Sequence, residues 1–251
     1  MRQNVSVFTS ALLTWIAGFV DAVGFLSLGR IYTANMSGNS VAIGIQWAAQ
    51  NWPETFRRIC PVAAYVIGLV VCRALIEYGA RKRITRIASL AFLIESALLM
   101  PALLAQPSGV RLIGLVYIGL LSLAMGVQNG ALTRFSSLTI HTGFVTGALV
   151  KFAEEATKYF TWVFDSLRAP GGSLRKVLTQ SFSQKPLQIA FWLAAIWIAY
   201  VVGACCGALG QHVFQLRALV APIAALLLST AIDLRWPLAV AEEQAQAKLT
   251  T

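Results

Sequence analysis

Two short polar stretches interrupt an otherwise apolar sequence and carry the residues best suited to bind a solute. They contain Thr33, Asn35, Ser37, Gly38 and Asn39 in the first stretch, and His141, Thr142, Thr146 and Gly147 in the second. A helix beginning at such a stretch has free N–H groups and a partial positive charge at its N-terminus, which favours an anion or a polar solute. We expect Ser37, Asn39 and Thr146 to cap these termini or to hydrogen-bond the solute. The alternative for the glycines is tight helix packing.

Three titratable residues in the same regions could carry a proton or bind a cation. Asp21 lies about two-thirds along the first long apolar segment and Glu95 in the middle of the third; an acid inside a membrane is costly and usually functional. His141 is the third candidate, because an imidazole titrates near neutral pH. The alternatives are a salt bridge or a hydrogen-bonded helix contact for Asp21, and a structural pair with Arg73 or another inward basic group for Glu95.

The composition excludes a soluble domain. Of 251 residues, 57% are hydrophobic and only 12% are charged, whereas soluble domains carry about 25% charged residues. The net charge of +10 lies mainly in loops, where it orients membrane proteins, so we do not predict nucleic-acid binding. The four cysteines form no CxxC pair, and we interpret them as packing residues rather than as metal ligands or redox groups.

Six long apolar segments and two shorter ones predict an all-α, polytopic membrane helix bundle. The long segments are residues 7–28, 61–78, 84–104, 110–132, 187–210 and 216–234, and the short ones are residues 36–50 and 143–160. A membrane-spanning helix needs about 20 residues, so the short segments are expected to be re-entrant half-helices. Their polar stretches would be tolerated only against protein or a wet cavity.

Loop charge predicts the orientation in the membrane. Residues 78–86 and 158–185 are rich in Lys and Arg, whereas residues 105–109 and 211–215 have none. With six spans and two half-helices, the positive-inside rule places both termini in the cytoplasm. Arg57 and Arg58 then fall on the outer side, against the rule, and eight full spans remain an alternative. Residues 158–185 are expected to form an interfacial amphipathic helix followed by a turn; the alternative is a partner-binding arm.

The two halves of the chain resemble each other. Corresponding residues lie 108 or 109 positions apart: Gly18 and Gly126, Asp21 and Asn129, Thr33 and Thr142, Ser37 and Thr146, Gly38 and Gly147. Three spans in each half would insert them in opposite directions, an architecture common among transporters. We predict repeats at residues 1–107 and 108–235, followed by a polar tail at 236–251. Chance similarity between glycine-rich membrane segments is the alternative.

Three motifs carry a resemblance to a known family. They are Ala17-Gly18-Phe19-Val20-Asp21-Ala22-Val23-Gly24-Phe25, Thr33-Ala34-Asn35-Met36-Ser37-Gly38-Asn39, and Gly126-Val127-Gln128-Asn129-Gly130-Ala131 followed by Thr142-Gly143. Together they resemble the YoaK family of bacterial inner-membrane proteins, the domain-of-unknown-function 1275 group. The resemblance implies a multi-pass protein of the bacterial inner membrane, and it supplies neither a substrate nor a mechanism.

The leading functional hypothesis is a secondary transporter or channel-like permease for a small polar or anionic solute. The predicted substrate-binding residues are Asp21, Thr33, Asn35, Ser37, Gly38, Asn39, Gln128, Asn129, Thr142, Thr146 and Gly147, with Asp21, Glu95 and His141 as proton-coupling candidates. The alternatives are a non-transporting scaffold or regulator and an intramembrane lipid enzyme. Nucleotide-binding and hydrolase motifs are missing from the sequence, so we predict no catalysis and no cofactor. Besides the solute, the expected partners are membrane lipid and a second copy of the chain.

Overall fold

A computed structural model describes residues 2–82, 84, 86–104, 111–135, 145–169 and 173–235. Every regular element in these ranges is helical, which confirms the predicted all-α fold. The elements are α1 (Arg2–Ser27), α2 (Met36–Ala48), α3 (Trp52–Arg81), α4 (Ile87–Leu103), α5 (Arg111–Phe135), α6 (Val145–Arg168), α7 (Leu174–Ser181), α8 (Lys185–Phe214) and α9 (Val220–Arg235), with a short 3-10 helix (Gln215–Leu219) between α8 and α9.

The helices that cover the six long apolar segments are α1, α3, α4, α5, α8 and α9. Four stretches of the described chain are long and apolar enough to cross a membrane: Phe8–Ser27, Trp52–Arg81, Gly114–Ala131 and Lys185–Arg235, the last of which holds both α8 and α9. The shorter α4 is also apolar. On α3, Val66, Ile67 and Val70 are exposed, as expected where lipid rather than water surrounds a bundle. The structure is therefore a membrane helix bundle.

Helices α1 and α8 pack closely and run in the same direction. A Cβ atom on Gly203 would lie 2.1 Å from the carbonyl oxygen of Trp15, and one on Gly207 would lie 2.5 Å from that of Phe19. The contacts advance together along both helices, so the two are parallel. Membrane helices approach this closely only where small residues remove the side chain at the crossing.

Helices α3 and α5 form a second parallel pair of the same kind. A Cβ atom on Gly68 would lie 2.3 Å from the carbonyl oxygen of Leu123, and one on Gly130 would lie 2.7 Å from the Cβ of Cys72. Helix α4 packs against α5 and α9, and α6 packs against α8. The bundle is thus organised around two glycine-lined helix pairs.

The first predicted half-helix is present as α2. It contains 13 residues, about 20 Å of helix, and it packs against α3. After α1 ends, the chain turns back far enough for the backbone of Thr33 to meet the carboxylate of Asp21. Since Asp21 lies six residues before the end of α1, the chain returns by about 9 Å before α2 begins. Such a fold-back is the geometry expected of a re-entrant segment, and residues 28–35 are called the re-entrant stretch below.

The second predicted half-helix is wrong in length and character. Helix α6 has 24 residues and continues beyond the predicted end at Phe160. Lys158 forms ion pairs with Glu154 at 2.6 Å and with Glu155 at 2.8 Å. Charged residues at this density are costly in lipid, which explains why α6 is amphipathic where α2 is apolar. Its last turns form the start of the basic segment 158–185.

Arg57 and Arg58, which fall on the outer side in the predicted topology, have structural partners at the end of α1. The guanidinium of Arg57 donates to the carbonyl oxygen of Leu28 at 3.0 Å, and that of Arg58 donates to the carbonyl oxygen of Arg30 at 3.4 Å. These carbonyls lie where a helix end leaves acceptors without intrahelical partners. The contacts also put the start of α3 beside the end of α1, so α1 and α3 run in opposite directions.

A buried carboxylate joins α9 to the start of α4. Asp233 accepts hydrogen bonds from the backbone N–H of Ser89 at 3.1 Å and from its hydroxyl at 2.5 Å. Arg86 donates to the carbonyl oxygen of Asp233. The carboxylate therefore satisfies an N–H in the first turn of α4, as an N-terminal cap would.

We expect Asp233→Ala to lower the free energy of unfolding by about 1–3 kcal/mol, because it leaves buried donors without an acceptor. Asp165→Ala, at an exposed position on α6, is the control and should change stability little. Thermal melting of the purified protein in detergent measures both changes. Equal melting temperatures for the two variants would show that this contact does not stabilise the fold.

Candidate functional site

Asp21 is buried and lies where α1, α8 and the first polar stretch meet. Its Oδ1 atom accepts hydrogen bonds from the backbone N–H groups of Thr33 at 2.6 Å and Ala34 at 2.8 Å, and from the Thr33 hydroxyl at 3.2 Å. Its Oδ2 atom accepts one from the hydroxyl of Tyr200 at 2.7 Å. Four donors compensate the carboxylate in this interior position. Asp21 thereby holds the re-entrant stretch against two helices.

Two asparagines complete the first polar stretch. The buried side chain of Asn39 donates from Nδ2 to the carbonyl oxygen of Tyr32 at 2.7 Å, and its Oδ1 accepts from the Tyr32 N–H at 3.2 Å. The helix cap is Asn35, whose Oδ1 accepts from the N–H of Gly38 at 3.3 Å and from the hydroxyl of Ser37 at 2.8 Å. The expectation that Ser37 or Asn39 caps α2 is therefore wrong, since Asn39 binds the preceding loop.

The second half contributes Gln128 and Asn129 from α5, and both side chains are buried. Asn129 donates from Nδ2 to the hydroxyl of Tyr65 at 2.9 Å, and Gln128 donates from Nε2 to the carbonyl oxygen of Leu13 at 3.0 Å. Their amide oxygens find no hydrogen-bond donor among the described residues. Each amide therefore keeps one acceptor available in the protein interior.

The contacts of Asp21 and Asn129 correspond to each other in the two halves. Asp21 pairs with Tyr200 and Asn129 pairs with Tyr65. The first members of these pairs are 108 positions apart and the tyrosines are 135 apart. The glycine contacts follow the same offsets, because a Cβ on Gly18 would lie 2.1 Å from the Tyr200 carbonyl oxygen and one on Gly126 would lie 2.2 Å from that of Tyr65.

Sequence reasoning missed the two tyrosines, although a signal for them is present. Ala64-Tyr65-Val66-Ile67-Gly68 and Ala199-Tyr200-Val201-Val202-Gly203 share four of five residue types. Each motif supplies the phenol that meets the polar residue and the glycine that allows the close helix crossing. The second half is longer than the first, so the tyrosines are 135 positions apart whereas Asp21 and Asn129 are 108 apart. A comparison of the halves at one fixed separation therefore does not align the tyrosines.

Glu95 differs from Asp21 in having no compensating donor within the described chain. The residue is 0% exposed, and neither carboxylate oxygen has a hydrogen-bond partner there. An acid that is buried without partners is the candidate for reversible protonation or cation binding.

Thr146 and Gly147, two further predicted residues, do not join these clusters. Both are exposed in the first turn of α6, and the capping or solute contact expected of Thr146 stays a prediction. His141 and Thr142 lie outside the described residues. The described site thus consists of the Asp21 cluster, the Asn129 cluster and Glu95.

The buried ionisable side chains of the described interior are all acidic. The buried charged side chains are Asp21, Glu95, Glu155 and Asp233, and no lysine or arginine in the described ranges is fully buried. The N-terminus of α2 is occupied by its own cap, Asn35. This arrangement is better suited to a proton, a cation or a neutral polar group than to an anion.

Apolar helices enclosing compensated polar clusters define an integral membrane protein. Its family follows from the sequence: the profile described as "Protein of unknown function (DUF1275)" matches residues 9–232, and the chain belongs to this family. This confirms the resemblance seen in the motifs.

Two curated relatives carry names that place them in a membrane. The chain is 27% identical over 147 residues to "UPF0700 transmembrane protein YoaK" of Bacillus subtilis, covering 58% of this chain and 64% of the relative. It is 29% identical over 157 residues to "UPF0700 transmembrane protein RA0705" of Rhizobium meliloti, covering 60% and 61% respectively. The chain thus spans less than two thirds of each relative's length. No solved structure matches the chain.

Proposed function

We propose that this protein is a secondary transporter or channel-like permease for a small polar solute. The observation that carries the proposal is the matched pair of buried clusters, Asp21 with Tyr200 and Asn129 with Tyr65. Transporters often build a solute path from two such repeats, with the site at their interface and broken helices beside it. The re-entrant start of α2 supplies one such break.

The direction of the helices supports an inverted repeat. Helices α1 and α8 are parallel, α3 and α5 are parallel, and α1 opposes α3, as their contacts indicate. It follows that α1 and α5, the equivalent helices of the two halves, run in opposite directions. The first helix of each repeat then packs against the tyrosine-containing helix of the other repeat, α1 on α8 and α5 on α3, so that the two halves are interlocked.

The acidic interior narrows the solute class. We favour a neutral polar or cationic solute over the anionic one that free helix N-termini would suggest, because α2 is capped internally and the buried charges are carboxylates. The acceptor oxygens of Gln128 and Asn129 are suited to hydroxyl, amide or ammonium donors.

Glu95 is the proton carrier in this proposal. An ionised carboxylate without partners is costly inside a membrane, so uptake and release of a proton would be coupled to changes in its surroundings. Asp21, in contrast, is compensated by four donors and serves chiefly to hold the re-entrant stretch. The proposal thus gives different roles to Asp21 and Glu95, which the sequence had offered equally as proton-coupling candidates.

The test is proton movement in proteoliposomes that contain a pH-sensitive dye. A panel of sugars, polyols, amino acids and amines is added outside, and we expect at least one to drive proton flux above the level of protein-free vesicles. Glu95→Gln should abolish the coupled flux, whereas Glu77→Gln, an exposed acid on α3, should leave it unchanged. Proton flux that persists in Glu95→Gln would eliminate Glu95 as the carrier. No proton flux with any compound would contradict proton-coupled transport, and no uptake of any radiolabelled compound of the panel would contradict the permease as well.

A separate expectation concerns the stability of Glu95 variants. Glu95→Met removes two buried oxygens without partners and keeps the volume, so we expect the free energy of unfolding to rise by about 1–3 kcal/mol. If Glu95 instead formed a structural ion pair, the same substitution would lower stability. Thermal melting in detergent, with Glu77→Met as the control, distinguishes these outcomes.

A scaffold or regulator is the second candidate, because α7 exposes an apolar stripe beside basic residues. Leu174, Leu178 and Phe182 are exposed while Val177 and Ser181 face inward. A stable partner that copurifies and is lost on deletion of residues 173–182 would favour this candidate.

We propose a bacterial inner-membrane location with both termini cytoplasmic. Cysteine labelling from either side of the membrane would test this orientation. We propose no enzymatic activity.

A further inference from the structure

A mostly apolar cleft lies among α1, α4, α8, the 3-10 helix and α9. Its volume is about 580 Å³, within the range of roughly 300–1,000 Å³ typical of ligand pockets. The described lining residues are Phe19, Leu103, Cys206, Gly210, Phe214, Arg217, Ala218, Val220 and Ala221. All of these residues except Arg217 are uncharged, and nearly all are apolar. The described lining of the cleft therefore combines an apolar surface with one cationic group.

The cleft lies where the chain turns between two apolar helices. Helix α8 ends at Phe214, Gln215 adopts a positive φ of 53°, and the 3-10 helix (Gln215–Leu219) leads into α9. A turn between two spans belongs at the edge of the bilayer, where arginine meets lipid headgroups. Arg217 is exposed, and it lines the cleft within this turn.

We propose that this cleft binds an anionic phospholipid, with one acyl chain against the apolar wall and the phosphate on Arg217. Guanidinium and phosphate form charge-assisted, frequently bidentate hydrogen bonds. The surrounding surfaces of α8 and α9 expose Leu209, Val213 and Val220, so a ligand reaches the cleft laterally from the membrane. A soluble anion would satisfy Arg217 and leave the apolar wall unfilled. The inference is independent of whether the protein transports a solute.

Native mass spectrometry of the full chain, reconstituted with phosphatidylglycerol or phosphatidylcholine, tests the headgroup contact. We expect a bound phosphatidylglycerol that is retained about tenfold more strongly than phosphatidylcholine, and Arg217→Gln to remove that preference. Arg235→Gln, an exposed arginine at the end of α9, is the matched control and should keep it. Equal retention of both lipids, or a preference unchanged in Arg217→Gln, would overturn the proposal.

The apolar wall is tested separately through Cys206, which lines the cleft beside the exposed Cys205. In a chain with Cys60, Cys72 and Cys205 replaced by serine, phosphatidylglycerol should slow alkylation of Cys206, and inorganic phosphate should not. Ala221→Phe, which fills the cleft while keeping Arg217, should abolish lipid retention. Protection of Cys206 by phosphate alone would indicate a simple anion site, and lipid retention in Ala221→Phe would place the lipid elsewhere; either result refutes the proposal.

Discussion

Asp21→Ala is expected to destabilise the protein by several kcal/mol and to release the re-entrant stretch from α1. The substitution leaves the buried N–H group of Thr33, the partly buried N–H group of Ala34 and the hydroxyl of Tyr200 without their acceptor. Each orphaned buried donor costs about 1–3 kcal/mol. The melting temperature and the yield of monodisperse protein after size-exclusion chromatography measure the effect.

Asp21→Asn should be far milder, because the second half already shows how an amide fits this position. Asn129 donates to the hydroxyl of Tyr65, so an amide at position 21 can donate to the hydroxyl of Tyr200 while its oxygen accepts from Thr33 and Ala34. The substitution removes the charge and keeps the geometry. It therefore separates a structural role of Asp21 from any role that needs a carboxylate.

Two results would contradict this account of Asp21. One is an Asp21→Ala protein that melts with wild-type stability, since the hydrogen bonds would then contribute nothing. The other is an Asp21→Asn protein as unstable as Asp21→Ala, since the two halves would then not be interchangeable at this position. A folded Asp21→Asn protein that has lost coupled flux would make Asp21 a second proton carrier beside Glu95.

Apolar periodicity and local polar signals predicted the parts of the fold that depend on neighbouring residues. The six apolar helices follow from the length of each apolar run. Helix α2 begins at the predicted residue, Met36, because the apolar stretch starts there, although its cap is Asn35 rather than Ser37 or Asn39. The correspondence of Asp21 with Asn129 also came from the sequence, since each follows a glycine by three positions.

The partners of these residues could not be predicted in the same way. The carboxylate of Asp21 binds two backbone N–H groups, which every residue except proline offers, so no residue type reveals them. Tyr200 lies 179 positions from Asp21, and only the packing of α1 on α8 brings the two together. The extra length of α6 was missed because a search for apolar runs stops at charged residues. In α6 the charged side chains pair with each other along one face, and the helix continues through them.

Replacing glycine with alanine is expected to destabilise the protein where two helices cross closely and to stabilise it where the glycine faces open space. Gly18→Ala and Gly126→Ala should each lower the free energy of unfolding by about 1–3 kcal/mol or more, because overpacking forces backbones apart. The added Cβ would lie 2.1 Å from the Tyr200 carbonyl oxygen in the first case and 2.2 Å from that of Tyr65 in the second. A backbone atom cannot move aside as a flexible side chain can, so the helices themselves must separate.

Gly44→Ala and Gly114→Ala are the matched controls, because no described atom lies within 4 Å of a Cβ at either position. Both are helical, so alanine should raise stability by about 0.5–1 kcal/mol. Thermal melting of the four variants under identical detergent conditions compares them. Similar losses at Gly18 and Gly126 are required if α1 on α8 and α5 on α3 are two copies of one crossing. A loss at one and a gain at the other would mean that the halves pack differently, and the interlocked repeat on which the proposed solute path rests would have to be abandoned.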